Sequence, residues 1–174
     1  TQTQSAKTLP VSLLAGLALL SAAGPFGADT YLASFVEIAN EFSRTESMVQ
    51  LTLTTFMIGM ASGQLVIGAL SDSLGRKKLL LIATLVFLGS SILCAVAPNI
   101  GTLIAMRLFQ GLAGGSTVVL ARSVVPDLLT GKASAKAFST LMGISSIAPA
   151  IAPLVGGFLG PAFGWRSVFW FLAV

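Results

Sequence analysis

Apolar residues fall into five blocks long enough to cross a membrane, separated by short connectors that are polar or carry glycine and proline. The blocks are 11–35, 48–70, 79–96, 102–125 and 137–161, and a sixth begins at 167 and reaches only 174. A spanning helix needs about 20 largely apolar residues, so the pattern predicts an all-α integral membrane fold. The connectors are a polar loop at 37–46, a basic turn at 71–78, a tiny link at 97–101, a mixed segment at 126–136 and a link at 162–166. Pro98-Asn99 and Pro126-Asp127 read as helix-ending punctuation. The block at 11–35 follows Lys7 and holds Ala22-Ala23, which suits a signal peptide, but its apolar character runs on to Tyr31 and Leu32. That is too long for a signal peptide's apolar core and favours a first spanning helix. The chain starts at Thr1 and is read as a processed or excerpted piece.

Composition agrees with this reading. The chain is 55% hydrophobic and 9% charged, with mean hydropathy +0.92, against about 25% charged residues in soluble domains. The net charge of +4 marks topology rather than a nucleic-acid partner, because the basic residues gather in alternate connectors. Lys7, Arg76, Lys77, Lys78, Arg122, Lys132 and Lys136 lie on one side, and only Arg44 and Arg166 on the other, with Glu37, Glu41 and Glu46. Basic connectors stay inside, so the N-terminus is expected in the cytoplasm. The chain has no histidine and no carboxylate cluster, leaving no zinc site or histidine relay, and its single cysteine, Cys94, cannot form an intrachain disulfide.

Two charges interrupt the spans. Asp29 lies about six residues before one end of the first block, and Arg107 about five residues inside the matching end of the fourth. At 1.5 Å per residue both sit about 8–9 Å below the same surface. A charge at a helix centre costs about 2.5–3.5 kcal/mol to insert, which makes each a functional candidate, with a structural ion pair as the competing reading. Gln110, Gly111 and Gly114 follow Arg107 at i+3, i+4 and i+7, on one helical face. In the fifth block Ala148, Ala152, Gly156 and Gly160 recur every four residues, a ridge for close helix approach. Pro149 and Pro153 interrupt its hydrogen-bond ladder. Gly59/Gly63 and Gly111/Gly115 are further small-residue pairs, read as packing. Thr52, Thr54, Thr55, Ser62 and Gln64 give the second block a polar complement.

Four runs resemble the major facilitator superfamily of transporters. Gly68, Leu70, Asp72, Gly75, Arg76, Lys77 and Leu80 fit its loop between helices 2 and 3, G-x-L-a-D-r-x-G-R-k-x-x-l. Leu103, Arg107, Gln110 and Gly111 resemble the helix-4 pattern of its drug antiporters, and Ala148-x-x-x-Ala152-Pro153-x-x-Gly156-Gly157 resembles their helix-5 signature, with alanine at the first two glycine positions. Asp29-Thr30-Tyr31-Leu32 is similar to the T-D-M-Y-L-P-A-L-P run of the bicyclomycin and chloramphenicol resistance branch. Ala33 and Val36 replace both prolines of that run, which predicts a straighter end to the first helix.

The resemblance implies the N-terminal six-helix half of a transporter with its sixth helix cut short, needing a C-terminal half and a lipid bilayer as partners. It implies proton-coupled export of small lipophilic drugs, chloramphenicol-like, by alternating access in a bacterial inner membrane, driven by a proton gradient without cofactor or metal. Asp29 would hold the proton beside Arg107 and Gln110. Asp72, Gly75 and Arg76 would form a conformational latch with Asp127 at the cytoplasmic face. An uptake symporter of the same fold and a non-transporting truncated fragment are the alternatives.

Overall fold

The computed structural model describes residues 10–174, the side chains of 72–74 excepted. It is all helical among those residues. In chain order the elements are α1 (Val11–Asp29), a 3-10 turn (Leu32–Ser34), α2 (Phe35–Glu41), α3 (Glu46–Leu74), α4 (Arg76–Ala95), α5 (Ile100–Leu128), α6 (Gly131–Phe163) and α7 (Arg166–Leu172). Five stretches are long and apolar enough to cross a membrane: Val11–Glu41, Glu46–Ser71, Arg76–Ala95, Ile100–Leu128 and Gly131–Phe163.

The helices run further than the apolar blocks, because polar residues form their end turns instead of loops. The basic connector at 71–78 contracts to one residue, Gly75, between α3 and α4. Its φ of +82° lies in the region that favours glycine, and it lets the chain reverse without a longer loop. The loop expected at 37–46 is helical to Glu41. Pro126 does not end α5, which runs to Leu128. Buried Val125 and Leu129 hold this end against Leu17, Ala121 and Leu141, and the Leu129 N–H closes the last turn on the Val125 carbonyl. Asn99 does punctuate, as the N-cap of α5: its side chain accepts the Thr102 N–H at 2.8 Å, satisfying one orphan donor of the first turn.

The first helix is not straighter at its end. Regular α geometry stops at Asp29 and resumes at Phe35 after the 3-10 turn. The Thr30 hydroxyl donates to the Phe26 carbonyl at 2.7 Å, competing with the helical ladder. The Thr30 carbonyl meanwhile faces Gly156 of α6 so closely that a Cβ there would collide with it. Packing against α6 thus shapes a segment that has no proline to bend it.

The centre of the bundle is α5, buried over most of its length from Leu103 to Val125. It meets α3 through a reciprocal glycine lock. A Cβ on Gly111 would strike the Phe56 carbonyl and one on Gly115 the Met60 carbonyl. In return, Cβ atoms on Gly59 and Gly63 would strike the Leu108 and Leu112 carbonyls. The two GxxxG pairs therefore serve each other, bringing backbone to backbone where lipid supplies no hydrophobic drive for association. The ridge of α6 (Ala148, Ala152, Gly156, Gly160) is buried, and Ser145 beside it hydrogen-bonds Ser21 of α1 at 2.9 Å.

Candidate functional site

The bundle closes around Arg107, whose side chain is fully buried. One guanidinium nitrogen, Nη1, donates to the Gly27 carbonyl of α1 at 2.9 Å and to the Gln110 Oε1 at 2.7 Å. The Gln110 amide donates onward to the Ser91 hydroxyl of α4 at 2.7 Å. Three aromatic rings surround the guanidinium carbon, with centroids at 4.1 Å (Phe56), 4.6 Å (Tyr31) and 5.7 Å (Phe169). Tyr31 is fixed in turn by a 2.7 Å hydrogen bond between its hydroxyl and that of Thr52.

Among the described residues, no carboxylate pairs with this cation. Its Nε and Nη2 are buried without a hydrogen-bond partner. Ring faces attract a desolvated cation by about 2 kcal/mol or more each, but they cannot accept its remaining N–H groups as an oxygen would. The site is a positive charge sealed from bulk solvent, with two guanidinium nitrogens that meet no acceptor among the described residues.

Asp29 stands two residues beyond Gly27, so α1 and α5 do bring the predicted pair to a similar level. Its carboxylate is half-buried and has no hydrogen-bond or ion-pair partner among the described residues. Gln110 joins Arg107 directly, as expected for i and i+3 on one face. Phe56, Phe169, Ser91 and Tyr31 were not legible as partners. Only Tyr31 carried a signal, through its place beside Asp29. The structure uses Thr52 from the polar complement of α3. Thr55 also bridges helices, donating to the Ile104 carbonyl of α5 at 3.1 Å.

The other predicted residues lie apart from this pocket. Where α4 begins and α5 ends, Arg76 Nη1 meets Asp127 Oδ2 at 2.6 Å, the two side chains being 28% and 47% exposed, and also donates to the Ser123 carbonyl. Gly75 supplies the turn that aims Arg76 at α5. The Asp72 side chain lies outside the described residues. The helix-5 pattern divides between two faces: Ala148, Ala152 and Gly156 are buried, while Pro153 and Gly157 are exposed on the other side, and a Cβ on Gly157 would meet nothing.

At the opposite end of the bundle is a cluster that sequence patterning treated only as connectors. Glu41 accepts the indole N–H of Trp165 at 2.6 Å and pairs with Arg166. Glu37 accepts the Trp165 backbone N–H at 3.2 Å, and Arg166 reaches the Ala97 carbonyl at 3.3 Å. The end of the first span, the α4–α5 link and the start of α7 are joined there. No group of histidine, cysteine or carboxylate side chains suited to a metal occurs among the described residues.

Comparison with known proteins agrees with this architecture. The family model described as Major Facilitator Superfamily matches residues 15–174. The Bacillus subtilis (strain 168) protein named "Uncharacterized MFS-type transporter YdgK" is 44% identical over 160 residues, covering 91% of this chain and 40% of its own. A "Bicyclomycin resistance protein homolog" of Haemophilus influenzae is 36% identical over 158 residues, covering 91% and 40%. The "Multidrug resistance protein MdtL" of Escherichia coli O157:H7 is 32% identical over 150 residues, covering 86% and 38%. This chain thus spans about 40% of the length of the curated relatives it matches. With five long helices and the start of a sixth in the order of an N-terminal half, the chain belongs to the major facilitator superfamily.

Proposed function

We propose that the chain is the N-terminal half of a drug:proton antiporter that exports small lipophilic compounds, chloramphenicol-like, by alternating access. The observation that carries this reading is the Arg107 pocket: a fully buried guanidinium with two unpartnered N–H-bearing nitrogens and an unpaired carboxylate, Asp29, on the neighbouring helix at a similar level. An intramembrane ionisable residue is a transport-site candidate by default. A cation without a fixed counter-charge favours the ionised form of a carboxylate that approaches it. Proton loss from Asp29 and movement toward Arg107 would then be one event, and a lipophilic drug entering the cavity would compete with the protonated carboxyl for it. The names of two relatives, a bicyclomycin resistance homolog and a multidrug resistance protein, support a drug as substrate.

Alternating access needs two halves with the site between them, so the partner is the C-terminal portion that the longer relatives carry. The basic turn faces the cytoplasm of a bacterial inner membrane by the charge count. There the Arg76–Asp127 pair, with Asp72, acts as a latch that is closed when the cavity opens outward. The energy source is the proton gradient, with no cofactor.

Drug accumulation in cells expressing the full-length gene tests the reading, comparing wild type with Asp29→Asn, with and without a protonophore. Wild type lowers accumulation, and both perturbations abolish the effect at equal protein levels. Unchanged accumulation across a broad drug panel would remove the exporter reading and turn attention to uptake of a small metabolite.

A further inference from the structure

The pocket around Arg107 is closed on one side by Phe169, and Phe169 does not hold itself in place. Trp165, the largest fully buried side chain, is 1% exposed although it lies one residue from half-exposed Arg166. Its ring meets Phe169 edge-on, with centroids 5.8 Å apart and planes at 89°. Phe169 continues to Tyr31 at 5.4 Å and to the Arg107 guanidinium at 5.7 Å. On its other side Trp165 is pinned: Phe42 packs against the ring at 5.7 Å, Glu41 accepts its indole N–H, Glu37 accepts its backbone N–H, and Arg166 lies over the ring at 4.3 Å. A continuous column therefore runs from a carboxylate at the end of the bundle to a buried cation.

We infer that Trp165, anchored by Glu41, is a positioning residue for the Arg107 site, seating Phe169 so that the guanidinium stays dry and confined between three rings. The role rests on the antiporter reading above. Two hydrogen bonds and three ring contacts converge on Trp165 from α2, the α2–α3 link and α7, more than is needed to bury one side chain near a surface. Loosening the anchor frees Phe169, admits water to the pocket and screens the field of Arg107. On the coupling proposed above, drug-driven proton exchange then shifts along the pH axis. Among the described residues, Glu41, Glu37 and Arg166 are the charged groups facing Trp165, while Arg107 and titratable Tyr31 face Phe169.

Cys94 supplies a built-in reporter, because it is buried in the same cluster as Tyr31, Trp165 and Phe169. In membranes holding the full-length protein, its alkylation by N-ethylmaleimide is followed by mass spectrometry of the Cys94 peptide. Proton exchange driven by added chloramphenicol is measured across pH in the same variants. Trp165→Ala removes the column. Glu41→Leu leaves the ring and removes its acceptor, which keeps the test open if the first variant fails to fold. Glu41→Gln retains an acceptor for the indole N–H.

Expected are alkylation about tenfold faster in Trp165→Ala and about threefold faster in Glu41→Leu. The pH midpoint of exchange should move by about half a unit in both, with Glu41→Gln close to wild type. Unchanged alkylation, or faster alkylation with an unmoved pH midpoint, would overturn the positioning role while leaving the antiporter reading intact. A wild type that exchanges no protons for drug would remove both, and so distinguishes the two failures.

Discussion

Two arginines of this bundle are solvated in opposite ways. Arg76, at the chain reversal, is 28% exposed and meets a carboxylate, Asp127, across a helix boundary. Arg107, in the middle of the bundle, is sealed from solvent and meets a carbonyl, an amide and three ring faces but, among the described residues, no carboxylate. Near the surface, water and a paired acid share the charge, so the pair is a modest fastener that helix motion can break. In the interior the charge has no counter-charge among the described residues, so its field reaches any carboxylate that comes near. Under the function proposed above, the same residue type serves as a clasp in one place and as a field source in the other.

The largest test of this contrast is Arg107→Met. Burying a charge without a counter-ion costs several kcal/mol of desolvation, and an apolar side chain of similar volume avoids that cost, so the melting temperature of the full-length protein should hold or rise. Drug export should nevertheless fall about 100-fold, the loss of about 2.7 kcal/mol of coupling. Loss of folding in Arg107→Met would contradict the contrast by making Arg107 a structural residue.

Next comes the wall of the pocket. In Gly111→Ala the new Cβ meets the Phe56 carbonyl, backbone that cannot rotate away, and pushes α3 and Phe56 off the guanidinium. Destabilisation of about 1–3 kcal/mol, the usual cost of overpacking, should appear in thermal melts. Gly157→Ala on the open face of α6 should leave the melts unchanged. Phe56→Leu keeps most of the volume but removes the nearest ring face, forfeiting about 1–2 kcal/mol of cation–π attraction. It should weaken export less than Arg107→Met does.

The smallest effect belongs to the surface pair. Exposed ion pairs contribute about 0–1 kcal/mol, so Asp127→Asn should barely change the melting temperature. If the pair is a latch, export falls a few-fold and Arg76→Asp combined with Asp127→Arg recovers part of it. A double swap no better than either single variant would reduce Arg76 to its topological role.

The five spans and their order were legible because an apolar run of membrane length has few alternatives. The glycine pairs are visible as well, but not their pairing: Gly59/Gly63 and Gly111/Gly115 read as two separate packing motifs, whereas α3 and α5 interlock through both. The polar ends misled. Pro126 and the segments 37–46 and 71–78 resemble loops in composition, yet burial of Val125, Leu129 and Ile38 keeps Pro126 and 37–41 helical, and Gly75 alone reverses the chain within 71–78. Proline content also failed for the first helix, where contact with Gly156 replaces the missing prolines as the cause of the 3-10 turn. In the candidate site, Arg107–Gln110 followed from helical spacing because both lie on one element. Phe56 and Phe169 come from α3 and α7, and apolar residues of a membrane helix give no hint of which few face a cation. The Glu41–Trp165–Arg166 cluster was hidden for a related reason, since its members are 124 and 125 positions apart.

The central claim is that a proton on Asp29 and the buried charge of Arg107 form one coupled site. Proton release on adding drug to the purified full-length protein, in weakly buffered detergent solution, tests it most directly. Wild type should release protons, and both Asp29→Asn and Arg107→Met should release none while remaining folded. Release from Asp29→Asn equal to that of wild type would contradict the account and place the proton elsewhere.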